Sequence, residues 1–375
     1  MAKIAAATAI EKFKQNDVQP ALEQALDNLE HGFQQNKDQL KQAFLDTFKQ
    51  ICIKTGRSQQ ITGYLIYHLL LTNMLQRNYT YAVVAYGPEG YYKEGVQVGE
   101  QDCSFIYRYY QTMWQQLDKI YRQYILKIFE PDLEKIMLAQ LIYFHQYVVQ
   151  LMRYSLLDAL ETEEYQAIAK ADQFHIQTGP YFEPCAVIHS EAKRKEPLKI
   201  IRQLQQNRTH NLQDLRDLDL SNLHCPQTDL RYADLRHSRL EQTNLINSIL
   251  TGAKCKNCAM PRVNLMVAML NDANFDQADL TEAKLQYSVA YTGKSRASLR
   301  QQAGYTGASF RDSNLTGANL TGAVIMGADF TGADLTGAIF TDTDLYRSRF
   351  TEKQLAQTRF TPEQLKQIES VPENR

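Results

Sequence analysis

The sequence predicts two fold classes in one chain, an N-terminal helical bundle with a small β-hairpin and a C-terminal all-β solenoid closed by a helical cap. Three observations carry the prediction. From Thr228 to Phe350 a large apolar residue returns at every fifth position, with a small residue two places before it. Ahead of that stretch, apolar residues return at intervals of three and four, as on helix faces. A chain of 375 residues has room for two or three domains.

A period of five fits neither the two of a half-buried strand nor the 3.6 of a helix, so it marks a solenoid whose turns are built from short, equivalent sides. The large positions include Leu230, Leu235, Leu240 and Leu245, then Leu315, Leu320, Ile325, Phe330, Leu335, Phe340, Leu345 and Phe350. These form the expected inward stack. Small residues such as Ala233, Ser238, Ala318 and Ala328 lie between them, because a narrow interior has no room for two large side chains at successive inward positions. Thr-Gly pairs, among them Thr321-Gly322 and Thr336-Gly337, are expected at the corners, where glycine turns at positive φ without penalty.

The run Thr-Gly-Ala-Asn-Leu and its neighbours resemble the pentapeptide-repeat family, whose A(D/N)LXX pattern is met in full by Ala318-Asn319-Leu320-Thr321-Gly322. The resemblance covers about a third of the chain. It implies a right-handed, quadrilateral β-helix with twenty residues per turn. Residues twenty apart then stack, placing Phe310, Phe330 and Phe350 in one column with Leu230, Leu250 and Leu270. A second expected column runs through Leu245, Leu265, Leu285, Tyr305, Ile325 and Leu345. Some members of the family protect or inhibit a type II topoisomerase, with loops that project from the coils. In others the C-terminal segment builds homodimers.

The phase breaks between Ser288 and Ala303, where an inward Arg300 would be an unpaired buried charge. The chain is expected to leave the coil here and to expose a basic tip, with Lys294 and Arg296 as candidate contact residues. Past Phe350 the small inward slots become Lys353 and Glu363, so the coil must end. Thr361-Pro362-Glu363-Gln364 reads as a helix start with a capping box. Residues 351–375 are expected to cap the last coil with Leu355, Phe360, Leu365 and Ile368.

Taken from the start, residues 1–172 read as the bundle. Ile10 and Phe13, then Leu22, Leu26, Leu29 and Phe33, then Leu40, Phe44, Phe48 and Ile51 mark three helices, the first two separated at Asn16–Pro20. Ile61–Leu75 is strongly apolar yet too short to span a membrane, and reads as a buried helix with His68 as a core histidine. Two strands around Gly87-Pro88 form the hairpin near 79–98. Its tyrosines either pack on the helices or present a recognition surface, with Tyr86, Tyr91 and Tyr92 as the candidate contacts. Two long helices, Phe105–Phe129 and Leu133–Leu160, meet at Pro131. Residues 173–210 read as a linker and N-terminal cap, and 211–350 as the coil.

A formal charge of −1 gives no long-range pull on nucleic acid, so no direct nucleic-acid binding is expected. Between Asp312 and Asp344 the acids meet no base. No membrane span and no secretory leader is visible, and free thiols in a cytoplasmic setting are expected. Cys255 and Cys258 have zinc-like spacing but occupy inward slots, which points to buried thiols. Cys185 and His189 are the nearest Cys/His pair outside the coil. No phosphate loop, dinucleotide fingerprint or metalloprotease motif is present, and no cofactor or metal is expected. The reading is a non-catalytic scaffold, a rigid rod that binds protein partners and is presented by the helical domain. Two alternatives stand beside it, namely interaction with DNA gyrase or topoisomerase IV, and an enzyme or toxin activity within 1–172.

Overall fold

Helix α1 (Ala2–Phe13) passes through one π-turn, Lys14–Val18, into α2 (Gln19–Arg57), a helix of 39 residues. The break expected at Asn16–Pro20 is thus a widened turn, since proline at the first turn of α2 surrenders no helical hydrogen bond. The expected second and third helices are one, as neither Pro nor an unfavourable cap interrupts 21–57. The computed structural model describes residues 2–58, 60–124, 127–181, 183–193, 195–293 and 305–372. They divide into two units. One runs to Ile188, and the other takes His189–Gly293 and resumes at Tyr305.

The first unit corrects the sequence reading at its sheet. The segment expected as a buried helix, Ile61–Leu75, is mainly the strand β1 (Thr62–Leu69), followed by the single-turn α3 (Leu71–Leu75). β1 is buried on both faces, so its apolar residues are continuous, and a continuous run carries no period to separate strand from helix. β2 (Thr80–Tyr86) pairs antiparallel with β1, with Leu65 opposite Ala85. β3 (Val96–Asp102) pairs antiparallel with β2 and completes the expected hairpin. After α4 (Ser104–Tyr121), α5 (Glu130–Ala159) and the short α6 (Glu163–Gln166), β4 (Lys170–Pro180) returns parallel to β1, with Leu65 beside Ile176. The sheet order is β3-β2-β1-β4-β5, where β5 (Ala186–Ala192) begins in the first unit and ends in the second. Helices α2, α4 and α5 pack on one another over a core that includes Phe33, Phe44, Tyr107 and Phe144. The unit is therefore α/β around a mixed sheet, where a helical bundle bearing only a hairpin was expected. β4, β5 and α7 (Pro197–Gln206) fill much of the stretch expected as a linker.

In the second unit the coil opens under α7, whose Ile200 and Leu204 are buried against it. Four positions in each twenty residues bridge to the next turn: Thr209 to Asp229, Asp214 to Asp234, Asp219 to Arg239 and His224 to Asn244. Central Leu, Met, Cys and Phe residues fill the interior, and Leu315, Leu320, Ile325, Phe330, Leu335, Phe340, Leu345 and Phe350 are buried. Small inward side chains with a donor bond a carbonyl of the preceding turn, as in Ser238 Oγ to Leu215 O (2.6 Å) and Thr243 Oγ1 to Leu220 O (2.7 Å). Cys258 occupies the same slot, its Sγ 2.8 Å from Leu235 O.

The step between turns changes once. Asn274 bridges Ser309, Lys284 bridges Asn319 and Val289 pairs with Val324, all 35 residues apart. The two expected columns are therefore each wrong across this join. Phe310 stacks on Phe275 (ring centroids 5.2 Å) and not on the Leu270 column, while Leu285 is followed by Leu320 rather than Tyr305. Fifteen extra residues are three sides of five, which preserves the phase and shifts every later residue by one side.

At the far end α8 (Glu352–Gln357) and α9 (Pro362–Gln367) each start with a capping box. Gln354 Nε2 donates to Phe330 O (2.6 Å) and Ala333 O (2.8 Å), and Gln364 Nε2 to Phe340 O (2.7 Å) and Thr343 O (3.1 Å). Each glutamine supplies donors to the carbonyls that the missing next turn leaves open. Leu355, Phe360 and Ile368 pack on the core, whereas Leu365 is exposed because its turn of α9 faces solvent.

Candidate functional site

Each side of the coil carries one outward residue between its inward pair, and bridging aligns these residues into columns. Three columns are largely polar. One reads Asp234, Lys254, Asn274, Ser309, Asp329, a second Arg239, Ala259, Asp279, Asn314, Asp334, and a third Asn244, Asn264, Lys284, Asn319, Ile339. The fourth reads Ile249, Met269, Val289, Val324, bounded by Asp229 and Asp344. Beside it stand the exposed Val267, Tyr287, Tyr291 and Tyr346. The 35-residue step extends this face by bringing Val324 beside Val289. Met269 is exposed and Ile249, Val289 and Val324 are half-buried, and a continuous apolar strip at the surface marks an interaction site more reliably than scattered apolar residues do.

Val267, a flanking residue, occupies a corner of the coil at φ 58° and is 46% exposed. A β-branched residue in the left-handed region is strained by roughly 1–2 kcal/mol. The same backbone conformation recurs at the other corners of these turns, among them Asn257 and Tyr287, so the coil imposes it.

A second cluster lies at the start of the coil. Asp214 holds Arg216 through two bonds (3.0 and 2.8 Å) and Lys195 at 2.8 Å, and Asp234 holds Arg236 through two bonds of 2.9 Å. Lys254 Nζ donates to His189 Nδ1 at 2.6 Å, and His189 Nε2 is 3.1 Å from Glu191. Burial, reinforced by the Lys254 charge, lowers the His189 pKa to about 4. Burial also lowers Lys254 to about 8, against the pull of Asp234. Burial opposes ionisation of Asp234, but the Arg236 hydrogen bonds and the Lys254 charge outweigh it and hold the carboxyl well below its usual range. At neutral pH the imidazole is thus neutral, accepting from Lys254 and donating to Glu191. His189, Glu191, Asp214, Asp234, Arg236 and Lys254 are buried and Arg216 and Lys195 half-buried, so the cluster locks the first turns together. Sequence reading missed it because His189 and Glu191 lie in the stretch taken as a linker.

Of the candidate contacts, Tyr92 is 96% exposed, Tyr91 is partly exposed, and Tyr86 is buried with its hydroxyl 3.1 Å from His68 Nε2. Tyr86 is therefore a packing residue rather than a contact, since the hairpin turns its ring onto His68. His68 is a core histidine whose pKa burial lowers to about 4. Lys294 and Arg296 lie outside the described residues. Cys185 sits 3.7 Å from the Tyr91 hydroxyl, and burial raises its pKa, the reverse of an activated nucleophile. Both ring nitrogens of its sequence neighbour His189 are engaged elsewhere. Among the described residues no group of three His, Cys, Asp or Glu side chains is placed to hold a metal. None of their helices is long and apolar enough to cross a membrane.

The family model for pentapeptide repeats matches residues 214–246, 248–286 and 306–342. No curated protein matches the chain. Among solved structures, QnrB1, a plasmid-mediated fluoroquinolone resistance protein, is similar at 14% identity, over 42% of this chain and 79% of that one, with a TM-score of 0.27. HetL, a protein involved in heterocyst differentiation regulation from the cyanobacterium Nostoc sp. strain PCC 7120, is similar at 25% identity, over 41% and 97%, with a TM-score of 0.13. A pentapeptide-repeat protein from the cyanobacterium Cyanothece 51142 is similar at 19% identity, over 40% and 94%, with a TM-score of 0.14.

Proposed function

From the premise that the C-terminal region of this chain belongs to the pentapeptide-repeat family, we propose that it is a non-catalytic protein-binding scaffold. The coil is read as the family's right-handed quadrilateral β-helix with α8 and α9 as its cap, a reading supported by four bridged columns per twenty residues. The observation that carries the function is the apolar column Ile249, Met269, Val289, Val324 on a rod whose other columns are largely polar. Rigid neighbouring turns spaced by roughly 4.8 Å present these side chains in fixed register, so little ordering entropy is lost on binding. The matching partner is a folded protein with an apolar ridge, its acid-free ends resting beyond Asp229 and Asp344. Among the described residues, apolar side chains fill the interior of the coil.

The test is affinity capture with the full chain and with a Met269→Glu, Val289→Glu variant, both outward positions whose change leaves the interior intact. A partner captured by the natural chain and lost by the variant, at equal melting temperature, is the expected outcome. Equal capture by both would place the contact elsewhere. Interaction with DNA gyrase or topoisomerase IV is the narrower version that the family resemblance implies. Supercoiling by the purified enzymes, with either chain added, decides it.

A further inference from the structure

We propose that the last turn of the coil carries a second, separate binding site, an open edge that takes an extended peptide segment of a partner chain through its main-chain carbonyls. Within the coil, each five-residue side gives two N–H groups, from its central residue and its corner, to carbonyls of the following turn. One turn before the last, at a corner and the side that follows it, Asp312 N donates to Thr331 O (3.0 Å), Leu315 N to Asp334 O (2.8 Å) and Gly317 N to Thr336 O (2.9 Å). The equivalent donors one turn later are the N–H groups of Gly332, Leu335 and Gly337, and none of them has an acceptor among the described residues. The next turn would have supplied one, but the chain has become α8 instead. Gln354 and Gln364 answer the open carbonyls of that turn and leave these three donors unanswered.

The three residues line one wall of a cavity of about 940 Å³, and α8 forms the other wall through Lys353, Gln354 and Gln357. That volume is within the range of pockets that enclose a ligand, roughly 300–1,000 Å³. Arg311 and Lys353 are balanced by Asp312 and Asp334 around it, so charge selects no ion. What is specified is a row of main-chain donors at the spacing of one coil side. Its complement is a chain with carbonyls at positions i, i+3 and i+5, the spacing of Thr331, Asp334 and Thr336. Strand addition to an exposed edge works through the same bonds. Small residues suit the occupant, because the corners it would cover are Thr331-Gly332 and Thr336-Gly337.

The probe is a synthetic peptide of the chain's own residues 331–338, Thr-Gly-Ala-Asp-Leu-Thr-Gly-Ala, added to the full-length protein. Saturable binding is expected, with amide exchange at Gly332, Leu335 and Gly337 slowed at least tenfold. Gln357→Trp, which fills the cavity from α8 without altering a donor, is expected to weaken binding at least tenfold. Absence of saturable binding, or binding that leaves exchange at the three amides unchanged, would overturn the proposal. The exchange readout uses the natural chain, so it stands even if the tryptophan variant fails to fold. Because Met269 and Val289 are not part of this cavity, loss of the lateral face leaves this measurement unaffected.

Discussion

Two stretches of the coil, 209–293 and 305–350, keep one backbone with different side chains. The corners of the first hold positive φ mostly without glycine, at Leu212, Asp217, Tyr232, Gln242, Val267 and Tyr287 among others. In the second, Gly317, Gly322, Gly327, Gly332 and Gly337 take that conformation. The interior differs as well. Phe310, Phe330 and Phe350 stack within 5.0 Å of one another from turn to turn in the later coils, while the first turns of the earlier stretch carry the ion pairs of Asp214 with Arg216 and Asp234 with Arg236, and Lys254 bonded to His189. The difference teaches that glycine does not make the corner. Stacking and inward packing impose it, and a left-handed non-glycine residue is then carried at a cost of roughly 1 kcal/mol or more.

The strongest way to break the later coils is Phe330→Asp, which places an unpaired carboxylate between Phe310 and Phe350. We expect loss of the cooperative melt for these turns, and an unchanged melt for the neighbouring outward change Thr331→Asp. Equal melting temperatures for the two variants would refute the inward register.

In the earlier coils the corresponding weak point is ionic. Asp234→Ala strands Arg236 and Lys254 in a buried site and should cost about 3–5 kcal/mol in denaturant unfolding. A change within about 0.5 kcal/mol would mean that water reaches the cluster.

A pH series sharpens the comparison further. His189 titrates near 4 when folded against an ordinary 6.5, facing Lys254, Glu191 and Asp234. Its folded pKa is the lower one, so the unfolded chain binds more protons between these values and stability falls as pH drops from 6.5 to 4. The loss from this group is on the order of 3 kcal/mol. His189→Gln should flatten the stability profile in that window relative to the natural chain, and parallel profiles would contradict the assignment. His68 and His145 have similarly lowered values and contribute equally to both chains.

The smallest effect expected is at a single corner. Val267→Gly should raise stability by about 1 kcal/mol, because it removes the penalty of a β-branched residue at φ 58°. The same change should weaken partner capture, since it trims the apolar face. A variant that gains stability and keeps full capture would assign Val267 no part in binding.

The coil was legible because its rule is local. Each five-residue side repeats one inward, one small and one corner position, and these identify themselves without knowledge of any distant residue. The capping boxes at Thr351 and Thr361 follow equally local chemistry. β1 was not legible, because burial on both faces removes the alternation that distinguishes a strand. Nor was the neighbour of any residue across the 35-residue step. An insertion of any multiple of five preserves the phase, so phase alone leaves the stacking partner open. Only the folded chain sets Val289 against Val324 and Phe275 against Phe310. By itself the sequence determined which side chains point inward, through a period that each side states anew. The tertiary structure decided which outward residues share a face and which charges meet at Lys254, because those depend on where distant turns come to rest.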